Sequence, residues 1–167
     1  MDTKMTNDIT TKLETLRGLA ERTNRASDQA SALVEKIETF LTDTIKIGVA
    51  AQVGPIDSRD EEPAANGLPR ARTYYLEYNR ISGDKFRIFV STTLGEDGHD
   101  EYTEGWKVVE QSQIRWASCS KQLKLKACAQ LPELLSAVIE NAEQLAIDAE
   151  AAHAASADLA AMVEPES

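Results

Sequence analysis

The residues whose types could break a bond are few, and they gather at one point. Cys119 sits in Ser118-Cys119-Ser120-Lys121, directly ahead of a long stretch of helical periodicity. A thiol at a helix N-terminus beside an ammonium is pushed towards the thiolate by the dipole and by the neighbouring charge. The same four residues match Ser-x-x-Lys, which sets a nucleophilic serine one turn from its lysine. That match is cheap. Ser82-Gly83-Asp84-Lys85 satisfies it too, in a turn, and no Lys-Thr-Gly accompanies either copy. A catalytic thiol also needs a base, and the only histidines are His99, in an acidic loop, and His153, far down the last helix. Cys119 is therefore read as a small packed residue, Ser118 or Ser120 as a helix cap, and Cys128 as core.

Oxygen ligands for a cation are the second possibility. Gly95-Glu-Asp-Gly-His-Asp-Glu-Tyr-Thr-Glu104 holds five acids, but the spacing lacks the alternate ligands and closing glutamate of an EF-hand. It reads as a solvated loop, as do Asp57, Asp60, Glu61 and Glu62. No catalytic, cofactor-binding or metal-binding residue is assigned. A thiol-dependent or metal-dependent hydrolase using Cys119 or the 95–105 loop ranks third among the functional readings.

The elements around these residues are better defined than any chemistry. From Cys128 onward, Cys128, Leu131, Leu135, Val138, Ala142, Leu145, Ala149, Ala152, Ser156, Leu159 and Val163 alternate steps of three and four. Only a helix puts such a seam on one side, so residues 118–163 are expected to form one long helix. Leu131-Pro132 is its defect, and a kink or break is expected there. The same period runs over 6–44 through Ile9, Leu13, Leu16, Ala20, Thr23, Ser27, Ala30, Val34, Ile37 and Leu41. Neither helix can bury its seam alone, so each needs a partner.

Between them, over 45–116, the period changes to two. Ile45 to Val53 alternates as a first strand closed by Gly54-Pro55, and residues 55–70 read as a flexible acidic loop. Arg72–Arg80 is a second strand, Phe86–Ser91 a third joined to it through Ser82-Gly83-Asp84, and Trp106–Trp116 a possible fourth. The fold class is α+β in a single domain, residues 1–167: two long antiparallel, coiled-coil-like helices bracketing a small antiparallel β-meander of three or four strands. This order is similar in layout to prefoldin-type chaperone subunits, which set two helical arms around a central β segment. The resemblance implies helices lying side by side.

Composition bounds the function. A chain of 167 residues with net charge −10 and pI near 4.7 is ill suited to a phosphate backbone or an anionic membrane. There is no apolar leader and no run long enough to span a bilayer, and two cysteines suit reduced thiols, so a cytoplasmic protein is expected. With Tyr74, Leu76, Tyr78, Phe86, Ile88 and Val90 facing the helices, Tyr75, Glu77, Arg87 and Phe89 face outward as candidate partner contacts. Lys85-Phe-Arg-Ile-Phe-Val90 echoes base-stacking RNA-binding strands, but it lacks their glycines and the molecule is acidic. The sequence after Lys126 carries eight acids, six of them within 118–163, and no Lys or Arg. The leading reading is a non-enzymatic interaction or scaffold protein, homo-oligomeric, with an unidentified protein partner. An acidic nucleic-acid mimic that inhibits a basic partner, as in phage or host defence, is the alternative.

Overall fold

The computed structural model describes residues 3–81, 85–97 and 105–163. The hairpin turn at Ser82-Gly83-Asp84 and most of the acidic 95–105 loop, with His99, lie outside the described residues. Four strands form one antiparallel sheet in chain order: β1 (Ala51–Glu61), β2 (Arg70–Arg80), β3 (Phe86–Asp97) and β4 (Trp106–Arg115). Helix α1 (Thr3–Thr39) precedes the sheet and ends in a π-helical turn, Phe40–Thr44. Helices α2 (Lys121–Ala129) and α3 (Leu131–Val163) follow it. The fold is α+β with a β-meander.

Alternation in β2 and β3 puts Leu76, Tyr78, Ile88 and Val90 on one face, where all four are buried. They pack under Val34 and Leu41 of the first helical segment, Leu123 and Ala127 of α2, and Leu131, Leu134 and Val138 of α3. Tyr78 brings a hydroxyl into this layer, and donates it to the Ile47 carbonyl at 3.1 Å. Burying the ring therefore strands no polar atom.

The last helical stretch is in two pieces. Ser120 caps α2, its hydroxyl accepting from the Leu123 amide at 3.2 Å. At Gln130 the first piece stops, and Pro132 falls in the first turn of α3, where a missing N–H costs nothing.

Two expectations are corrected. The first strand is not 45–53 but 51–61, so residues 55–61 of the stretch read as a flexible loop lie in β1, with 57–61 paired to β2, leaving residues 62–69 as the connection. Val49 and Ala51 are buried as the alternation requires, but residues 46–50 have no strand opposite them, and Lys46 has φ 53°. The ladder continues past Gly54-Pro55 because the register shifts between Val53 and Asp57. Gly54 takes φ 124°, a value L-residues avoid, and β1 is an edge strand, where proline is tolerated. Two of the four acids that suggested disorder are neutralised here: Asp57 by Arg59 and Lys126, Glu61 by Arg72.

The second correction concerns the helices. Helices α1 and α3 make no extended contact with each other: α1 packs on α2 and β3, and α3 on β1 and β2. Among the described residues, α1 and α3 are therefore not seen side by side as an antiparallel pair. Among the residues whose side chains are described, the fully buried seam positions lie near the sheet, from Ser27 to Leu41 in the first and from Leu131 to Val138 in the last.

Glu38 ties α1 to the sheet, one oxygen pairing with Arg87 and the other accepting from the Ile88 amide at 3.0 Å. Removing that acceptor leaves a part-buried N–H unmet, so Glu38→Ala is expected to cost about 1–3 kcal/mol. Leu134→Ala, which empties the seat of α3, is expected to cost about 2–5 kcal/mol. Urea denaturation checks both, and a Leu134→Ala loss below about 1 kcal/mol is incompatible with this packing.

Candidate functional site

Cys119 is buried, 8% exposed, with its thiol directed at the Arg115 carbonyl at 3.6 Å. Burial pushes the thiol up to about 11, and the ammonium of Lys124 offsets only part of this. The dipole and charge that favour a thiolate on paper are overridden by desolvation, and at neutral pH the sulfur holds its proton. Cys128, half-buried, is raised for the same reason. Lys121 is not turned to Ser118 but bonds the Asn24 side chain. Among the described residues no group of three or more His, Cys, Asp or Glu is arranged to hold a metal ion.

The outer sheet face differs from its expected form. Phe89 is fully buried, so it offers nothing to a partner; its strand neighbours in register are Glu77 and Arg115. Arg87 is engaged by Glu38. Tyr75 is half-buried, and Glu77 accepts from the Gln52 amide at 3.0 Å. The structure does not bring the four into one accessible patch. What lies there is a polar hollow of about 620 Å³, lined by Gln52, Glu77, Ser91, Thr93, Gln111 and Gln113 among others.

Past the helices, the inner face carries a lattice of ion pairs. Arg72 reaches both edge strands, Nε to Glu61 at 3.0 Å and Nη1 to Glu110 at 3.2 Å. Arg70 pairs with Glu96, and Thr92 and Ser112 share a hydrogen bond of 2.7 Å. The Lys126 ammonium, with Arg59 adding to it, holds the Asp57 carboxyl below its ordinary value. Every one of these charges is answered. The lattice reads as structure.

The unanswered surface is apolar and helical. Leu13, Leu16 and Leu19 of α1 are 60%, 61% and 51% exposed, and Leu145 and Ile147 of α3 are 55% and 59% exposed. Where α1 ends, Ile37, Phe40 and Leu41 face Leu135, Val138 and Ile139 across an apolar groove of about 390 Å³. The seams are visible in the sequence, but the groove is not, because it depends on which turn of α3 meets the end of α1. No helix among the described residues is long and apolar enough to cross a membrane.

Comparison with protein-family models, with curated proteins and with solved structures finds no match to this chain.

In the folded protein Cys119 is expected to react with iodoacetamide more slowly than Cys128, and to react freely once denatured. The raised thiol also sets a sign. Below 9.0 the thiol is protonated folded and unfolded; between 9.0 and about 11 only the unfolded chain releases the proton, so stability falls as pH rises. The urea midpoint should drop between about pH 8 and about pH 10.5, and Cys119→Ala should remove part of that drop.

Proposed function

We propose that this chain is a non-enzymatic interaction protein, a scaffold or regulator that self-associates and presents its helical rods to a protein partner. The observation that carries this reading is the bare part of each seam. At ~1.5 Å per residue α1 is roughly 55 Å long, whereas four strands spaced ~4.8 Å apart cover far less. A rod with large apolar side chains more than half exposed and no tertiary contact is only marginally helical in water. Such rods are surfaces awaiting a partner, and the coiled-coil-like spacing of their seams suits another helix. The polar outer face of the sheet, with Tyr75 and Glu77, is a subsidiary contact surface.

The acidic-mimic reading has less support. Imitating phosphates needs carboxylates without a cation beside them, and on the sheet Asp57, Glu61, Glu96 and Glu110 are each held by an arginine or a lysine, which leaves that role to the acids of α3. A buried, protonated Cys119 likewise counts against a thiol hydrolase.

Light scattering of the purified chain, with affinity capture from native lysate, tests the proposal. Leu13→Glu combined with Leu16→Glu should weaken association at least about tenfold while leaving the circular dichroism of the body in place. A strict monomer that retains no partner ends the reading.

A further inference from the structure

The bare parts of α1 and α3 leave the body at opposite ends. Asn24 of α1 bonds Lys121 at the start of α2, whereas Ile37, Phe40 and Leu41 meet Leu135, Val138 and Ile139 of α3. The two helical stretches thus run in the same sense along their contact. Further on, Asn141 donates to the Ala50 carbonyl at 2.7 Å, already past the end of α1. Residues 3–23 therefore extend beyond the start of α2, and residues 142–163 beyond the end of α1. Within one chain they point apart and cannot cover each other. Their lengths match, ~31 Å and ~33 Å at ~1.5 Å per residue.

Their charges are complementary. The first rod and its base carry Lys4, Lys12, Arg17, Arg22 and Arg25 among fewer acids, while α3 carries Glu133, Glu140, Glu143, Asp148, Glu150 and Asp158 with no lysine or arginine. Two copies of α3 laid together would set acid against acid along their whole length, which disfavours that pairing. Two copies of α1 laid together would leave α3 uncovered.

One arrangement covers all four rods. A second copy turned by half a revolution about an axis perpendicular to α1 lays its α3 beside the first α1, running the other way. The same rotation lays its α1 beside the first α3, as a closed twofold contact requires. Aligning the rods base to base and tip to tip stacks the seams in layers: Leu13 over Ala152, Leu16 over Ala149, Ala20 over Leu145. Each layer opposes a large side chain to a small one, so the rods interdigitate at close approach. Arg17 then lies level with Asp148, and Arg22 with Glu143.

Resting on the reading of the bare seams as contact surfaces, we infer that this chain forms a twofold dimer by reciprocal exchange of rods. In it, α1 of each copy pairs antiparallel with α3 of the other. The antiparallel helix pair missing inside the chain is made between chains.

Two experiments on the full chain test this. In a Cys128→Ala background, Leu16→Cys and Ala149→Cys together should give a covalent dimer on oxidation. Each alone should not, and an equal mixture of the two single variants should. Separately, Arg17→Glu with Arg22→Glu, or Glu143→Arg with Asp148→Arg, should weaken the dimer at least about tenfold by sedimentation, and the four changes together should restore it. All four charged positions lie on exposed helix surface, so the body folds in every variant. A monomer at about 100 μM, cross-linking by Leu16→Cys alone, or no rescue by the fourfold exchange overturns the inference. If the chain is monomeric yet holds a different protein that Leu13→Glu releases, the dimer is wrong and the interaction reading stands.

Discussion

The inner face of the sheet is too small for the helices laid on it. Leu76, Tyr78, Ile88 and Val90 form a floor that α1 touches with little more than its last four turns and α3 with its first three. Hydrophobic burial is proportional to area removed from water, so this floor limits how much of each seam the molecule can hide for itself. The fold is a small packed body with surplus helix. The buried thiol, the capped start of α2 and the tie from Glu38 to the Ile88 amide all belong to the body. The surplus has no role in holding it.

That imbalance separates what the sequence reveals from what it conceals. Helical and strand periods are local properties, so both long helices, the strands at 72–80 and 86–91, and the break beside Pro132 are legible from residue spacing alone. Pairing is not local. Lys46 to Ala50 alternates like a strand and buries the right residues but has nothing to pair with, whereas Asp57 to Glu61 looks like charged loop and lies in a ladder. The deciding residues are Arg72 and Lys126, which reach Glu61 and Asp57 only once β1 lies beside β2 and under α2. Phe89 shows the same limit. Its parity places it on the outer face, yet it is fully buried.

Seam periodicity likewise says that a helix must be covered, and leaves open by what. Two seams in one chain suggest each other. The bond between Asn24 and Lys121 and the groove that Phe40 and Ile139 both line give the helices a common direction, and that argues against the intramolecular solution. The expected order of helix, meander and helix is observed, and the expected side-by-side placement of the helices is not.

Among the described residues, the bond from Asn141 to the Ala50 carbonyl is the last hydrogen bond from α3 to the body. Beyond it ~33 Å of helix is cantilevered, so a tilt of about 10° at that fulcrum sweeps the tip through ~6 Å. The groove beside Leu135 and Ile139 lies at the fulcrum itself. A change there that tilted α3 by that angle would be magnified into a displacement the size of a helix radius at the far end.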